Sequence, residues 1–361
     1  MPAEAERDTG GSRLPLVVCA LLTVVLGLIA AASGGTEEEG GAPAAPRSAS
    51  VETIARRVER IRGLRFDTTP RPRTVSGEEA RREGLDDLDR SYPTPERRAD
   101  EELYKLLGLL APADDLREIF GSVFGDQVAG YYDPRSGALR IVEGGGPVNR
   151  VLDETTVAHE LDHALEDQRF DLELGESGTS GDAALANLAL VEGTATALMN
   201  EYQRRHFRPE EALGGAAAGA LAAPSTASLP PFVTAQLLFP YLDGERFVGR
   251  LYATGRDSWR LVDLAERVRP PVSTEQILHP EKYLAAEPPR RVRLRGVGRT
   301  LGPRWSRVAA SSFGEWQTRE WLARGAAPPP PAGPEIATSS GVPVRCHATA
   351  AGRRAWPTTR S

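Results

Sequence analysis

The nine residues Val157-Ala158-His159-Glu160-Leu161-Asp162-His163-Ala164-Leu165 constrain this chain more than any other segment. Two histidines four positions apart on a helix lie about 40° apart and one turn removed, so both imidazoles can reach a single ion. Glu160 falls about 100° around from His159, at the flank of that face. A carboxylate there meets a water beside the ion, which suits a general base rather than a ligand. Rotated at the same angle, Val157, Ala158, Leu161, Ala164 and Leu165 gather on one arc and the histidines point roughly opposite. The sequence therefore predicts a helix whose apolar arc packs while its histidines face a cleft. Asp153 is placed as its N-cap.

An ion held in this way needs further donors. The chain has two cysteines, Cys19 in an apolar leader and Cys346 in a Pro-rich tail, and five histidines in all. Neither cysteine suits a thiolate site or a disulfide framework, so the donors must be imidazole and oxygen. Catalytic zinc takes three protein ligands and leaves a position open. The third predicted ligand is Glu192, on a helix through Leu185 to Met199, where Leu185, Leu188, Ala189, Ala195 and Met199 surround it. A carboxylate on an apolar face is costly unless it is paired or bound to a cation. The competing reading is a buried ion pair with an arginine. The 29 positions between His163 and Glu192 leave room for the first helix to end, for a loop through Gly175 to Gly181, and for a second helix to return.

The body around these helices reads as mostly helical α+β. Val51, Ile54, Val58 and Ile61 recur at helical spacing, Ser76 caps a helix through Leu88, and Leu103, Leu106, Leu107 and Leu110 mark a third. VAGYYD, PRSG and ALRIVE between Gln127 and Glu143 form two short strands and a turn, a β-hairpin ahead of the histidine-bearing helix. PPFVTAQLLFPYL, the stretch from Asp257 to Val268, and STEQILHPEKYL read as further helices. Gly144-Gly145-Gly146 lacks the Lys and Ser/Thr of a phosphate-binding loop.

HELDH followed by a helix carrying VEGTA resembles the gluzincin pattern of thermolysin-like peptidases. More broadly, AHELDHALEDQRFDL, ALVEGTATALM and STEQILHPEKYL are similar to a largely uncharacterised group of bacterial HExxH proteins. The resemblance implies a zincin-like domain in which His159, His163 and Glu192 bind Zn2+. Glu160 takes a proton from water and passes it to the leaving amine of a peptide or protein substrate. It also implies an edge strand in the hairpin along which an extended substrate adds, and an oxyanion-stabilising Tyr or His, for which Tyr283, His279 and Tyr202 are the candidates. His206 and His347 are weaker ones. In thermolysin relatives an acidic residue four positions after the third ligand supports a zinc histidine. Thr196 stands there in this chain, so support is expected from Asp162, Asp171 or Asp182.

The organisation follows from composition. Leu14 to Ala32 is an apolar run about 28 Å long as a helix, close to a bilayer's ~30 Å hydrocarbon core, and a small-residue stretch ends it. Residues 1–33 are thus a removable signal peptide or an N-terminal membrane anchor. In either case the body lies outside the cytoplasm, at the cell membrane or secreted. Residues 34–50 are a flexible linker, 51–325 the metallopeptidase domain, and 326–361 a disordered Pro/Ala-rich tail. A formal net charge of -6 argues against a nucleic-acid partner. The alternative function is a catalytically inactive, membrane-tethered zinc-binding scaffold, against which the retained Glu160 stands.

Overall fold

Ser50 and Ser76 start two helices by the same device. Each side-chain oxygen accepts the backbone N–H three residues on, from Thr53 at 3.4 Å and from Glu79 at 3.1 Å, and so satisfies a donor the helix leaves unpaired. The computed structural model describes residues 48–126, 130–134, 136–142, 150–171, 181–213, 229–290, 292, 296–304, 307 and 311–324. The leader 1–33, all of the linker 34–50 but its last three residues, and the tail 326–361 lie outside them, with Cys19, Gly144-Gly145-Gly146, Cys346 and His347. Among the described residues no helix is long and apolar enough to cross a membrane.

Helix α1 (Val51–Arg62) buries Ile54, Val58 and Ile61, the predicted face, and stops at Gly63, whose φ of 70° suits a residue without a Cβ. Two contacts dock its entry. Ala49 N–H donates to Glu154 at 2.9 Å and the Ser48 hydroxyl lies 3.3 Å from Asp153. Helix α2 (Gly77–Ser91) continues three residues past the expected Leu88. Helix α3 (Thr94–Leu106) ends before Leu107 and Leu110, and Leu106 is 84% exposed, so the four leucines do not share one helical face. Helix α4 (Leu116–Asp126) packs on α2.

The predicted hairpin is present. Strands β2 (Gly130–Asp133) and β3 (Ala138–Val142) pair antiparallel, Tyr132 opposite Leu139. A strand that the sequence did not announce, β1 (Pro72–Val75), adds parallel to β3, giving the order β1-β3-β2. Only Val75 of β1 is buried, so no alternation marked it. In this three-stranded sheet β3 is central and β2 an edge.

Two long helices follow, α5 (Arg150–Phe170) and α6 (Gly181–His206). Asp153 is not the N-cap of α5: it sits inside the first turn, where its charge favours the positive end of the helix dipole. Helix α6 serves two cores. Leu185, Leu188 and Ala189 join Phe232, Val233, Phe247 and Val248 of α7 (Pro231–Thr254), while Leu198 and Tyr202 join Ile54 and Val58 of α1 and Leu161 and Leu165 of α5. Glu192 lies at the changeover. Shorter helices complete the described chain: α8 (Arg260–Arg267), α9 (Thr274–Leu278), α10 (Pro280–Leu284), α11 (Val297–Leu301) and α12 (Glu315–Arg324). The result is a mostly helical α+β arrangement.

Gly193, the residue after Glu192, lets α7 approach. A Cβ there would collide with the Gly244 backbone, and a Cβ at Gly244 would collide with the Ala189 carbonyl. Gly249, also in α7, has open space around the same position. Gly244→Ala is therefore expected to destabilise by about 1–3 kcal/mol through forced separation of the helices. Gly249→Ala is expected to stabilise by about 0.5–1 kcal/mol. Urea unfolding of both variants checks this, and equal shifts would contradict the close crossing.

Candidate metal centre

His159 and His163 leave α5 one turn apart, and their rings meet edge to face with centroids 4.7 Å apart. Their Nε2 atoms are 3.1 Å from each other. Glu192 of α6 brings Oε2 to 3.2 Å from His159 Nε2 and 3.6 Å from His163 Nε2. These three donors form a buried group able to hold a metal ion. A tetrahedral site with bonds of about 2.0–2.1 Å has ligand-to-ligand edges of roughly 3.3 Å, the size of this triangle. The second carboxylate oxygen, Glu192 Oε1, is buried without a hydrogen-bond partner among the described residues, although His159 and His163 stand on the other side of the group. Such an atom is expensive in a protein interior and suits a carboxylate shaped for a cation.

The electrostatics agree with a charged partner. Burial opposes ionisation of Glu192, yet His163 and His159 outweigh it and bring its pKa down to about 2. Burial likewise opposes the imidazolium of His163, but Glu192, with Glu166 and Glu160, raises it well above the ordinary value. His159 goes the other way, lowered by burial despite Glu192 and the Ala195 backbone. Without a metal the group is thus a buried His163–Glu192 ion pair beside a neutral His159.

The enclosure differs from the open cleft the sequence suggested. His159 and Glu192 have 0% exposure, Glu160 1% and His163 7%. The apolar arc does pack, with Leu161 and Leu165 fully buried, but the face opposite it is covered as well. Glu160 turns toward the sheet, where its Oε2 accepts the backbone N–H of Tyr132 at 2.9 Å. The Tyr132 hydroxyl donates to Asp167 on the same helix at 2.8 Å, so one residue of β2 ties the strand to α5 at two places. On another side the ring of Tyr241 from α7 stacks on His159 at 6.1 Å, with 18° between planes.

Tyr241 was missed because it closes the apolar run PPFVTAQLLFPYL, where an aromatic reads as core. Only the crossing at Gly193 and Gly244 carries it to the site. The three proposed oxyanion candidates are engaged elsewhere. The Tyr202 hydroxyl takes Arg57 and Glu154 as partners and its ring lies tilted against His206, the Tyr283 hydroxyl donates to the Arg269 carbonyl, and His279 faces Glu315. Of the proposed supporting acids, Asp182 accepts from Thr274, Asp171 follows the end of α5, and Asp162 pairs with Arg62. The carboxylate that does approach a ligand ring is Glu166, whose Oε2 is 3.8 Å from His163 Nδ1.

Arg62 at the end of α1 is fully buried among acids. It lies 3.5 Å from Asp162, 3.2 Å from Glu166, 3.2 Å from Asp263 and 3.3 Å from Glu266, with its guanidinium 4.6 Å from the Trp259 ring centre. One cation cannot neutralise four carboxylates. Burial, reinforced by Glu266, raises Asp162 and Asp263 to about 6 against the pull of Arg62, and burial raises Glu166 well above the carboxylate range.

No family model matches the chain, and no curated protein does. A solved structure from Chloroflexus aurantiacus, described as a candidate hydrolase with a novel fold, is similar at 20% identity, over 65% of this chain and 87% of that one, with a TM-score of 0.43. That likeness is too distant to argue from, so the function rests on the site itself.

The shifts give opposite pH slopes in the metal-free protein. Glu192, depressed from 4.5 to about 2, contributes stability that is lost as pH falls through that interval. Asp162 and Asp263, raised from 3.8 to about 6, contribute stability that is lost as pH rises through theirs, and Glu166 and His163 extend the loss upward against the opposing rise from His159, whose pKa burial lowers. The urea midpoint of metal-free protein is expected to peak at about pH 4–5 and to decline toward neutrality. A midpoint that climbs steadily from pH 5 to 8 would contradict this charge balance.

Proposed function

We propose that the chain is a zinc-dependent peptidase of gluzincin-like design with a zincin-like fold, in which His159, His163 and Glu192 hold zinc and Glu160 is the general base. The observation that carries this reading is the division of labour within HELDH. Three donors converge to a ligand-sized triangle, while the carboxylate of the intervening residue stands apart on the Tyr132 N–H. Two imidazoles and a carboxylate without thiolate suit zinc and leave a coordination position for chemistry.

Zinc, when bound, supplies a Lewis acid that lowers the pKa of water and polarises the scissile carbonyl. Glu160 takes the proton of the attacking water and delivers it to the departing amine. The Tyr132 N–H fixes one oxygen of that carboxylate, which orients the other. Tyr241 stacks on His159 and limits rotation of its ring. An extended peptide is the substrate class of this reading, and Glu160, held on the N–H of Tyr132 in the edge strand β2, is the group it would have to reach. The reading includes a body outside the cytoplasm, secreted or anchored through residues 14–32, and no nucleic-acid partner. A membrane-tethered zinc-binding scaffold without activity is the second reading, favoured by the 1% exposure of Glu160.

Zinc content and hydrolysis of a quenched-fluorescent peptide library separate the two. Glu160→Gln is expected to keep its zinc and lose about 10²–10⁴-fold in rate. Glu192→Ala is expected to lose zinc affinity. Undiminished hydrolysis in Glu160→Gln would remove the assigned base, a zinc-loaded wild type without hydrolysis would favour the scaffold, and a wild type that takes up no zinc would end the metallopeptidase reading.

A further inference from the structure

A single guanidinium among three fully buried carboxylates and a partly exposed fourth is a poor way to stabilise a fold. Desolvation of buried ion pairs consumes most of their Coulombic gain, and apolar side chains of similar volume serve at least as well. The simplest role for Arg62 is a staple, joining α1 to Asp162 and Glu166 of α5 and to Asp263 and Glu266 of α8. A staple does not require any of the four to face a second partner. Glu166 does: Oε1 takes Arg62 Nη1 at 3.2 Å, and Oε2 is turned to His163 Nδ1 at 3.8 Å. That separation is a charge contact, slightly long for a hydrogen bond. Among the described residues Glu166 Oε2 is buried without a hydrogen-bond partner, and the ring nitrogen is the polar group it faces.

We infer that Glu166, gripped by Arg62, is the positioning residue for His163. In the neutral imidazole a proton on the Nδ1 that faces the carboxylate leaves the lone pair on Nε2 at its far side, and Nε2 is the atom that lies 3.1 Å from His159 Nε2 and 3.6 Å from Glu192. Arg62 fixes Glu166, Glu166 fixes the tautomer and plane of His163, and α1 thereby governs metal affinity without supplying a ligand. The inference deepens the zinc reading and rests on it for the consequence, while the tautomer itself can be read without metal.

Glu166→Gln distinguishes this from a staple. Arg62 only donates, so it draws the amide oxygen to itself and leaves the amide NH2 facing His163. A facing NH2 cannot accept from Nδ1–H; the ring then carries its proton on Nε2, the wrong atom for a metal. Glu266→Gln makes the same charge change against the same arginine, on a side chain 3.3 Å from Arg62 with no contact to His163 among the described residues.

The test uses the full chain with 15N-labelled histidine, five rings in all. Nitrogen shifts are recorded on metal-free protein in a series of rising alkaline pH until they no longer change, and zinc dissociation is measured by competition with a chromogenic chelator. Wild type and Glu266→Gln are expected to show His163 as the Nδ1–H tautomer, and Glu166→Gln as Nε2–H with zinc affinity about 10–100-fold weaker. An Nε2–H wild type, or equal losses of affinity in the two variants, would overturn the inference. A wild type that binds no zinc yet shows Nδ1–H would sink the zinc reading and leave the positioning intact.

Discussion

The Glu192 carboxylate is fully buried and sits where α6 passes from one hydrophobic core to the other. A charge in that place must be met by opposite charge, or the helix would have to turn it outward and expose the leucines around it. The two imidazoles of α5 meet it, which fixes how α5 and α6 are rotated against each other. The requirement also reaches α7. Gly193, next in sequence, lets α7 cross so closely that Tyr241 lands on the His159 ring, so the ligand triangle and the close crossing are two sides of one packing solution.

Much of this was legible in sequence for a plain reason. Helical periodicity puts residues four apart on one face, and a carboxylate among leucines demands a cation, so His159, His163 and Glu192 could be grouped before any coordinates. The hairpin could be read because its turn chemistry and alternation are local. What escaped depends on tertiary pairing. Strand β1 has one buried residue and no pattern. Tyr241 reads as core until the glycine crossing carries it to the ligands. Glu166 stands one turn after His163, where a polar residue on a helix reads as solvated surface, and only Arg62, 104 positions earlier, turns it inward.

The choice of oxyanion candidates failed for a related reason. Tyr202, Tyr283 and His279 were judged by residue type, yet a hydroxyl or ring nitrogen is useful to a reaction only if its own partners leave it available. In the fold the two tyrosine hydroxyls are taken up by Glu154 and the Arg269 carbonyl, and His279 faces Glu315. Residue type narrows the search; the hydrogen-bond partners decide it.

The docking of Ser48 and Ala49 on the first turn of α5 sets an inner boundary for removal of the chain's amino end. A cut only a few residues further in would strip Ala49 from Glu154 and the serine cap from α1, and so loosen the helix whose last residue is Arg62.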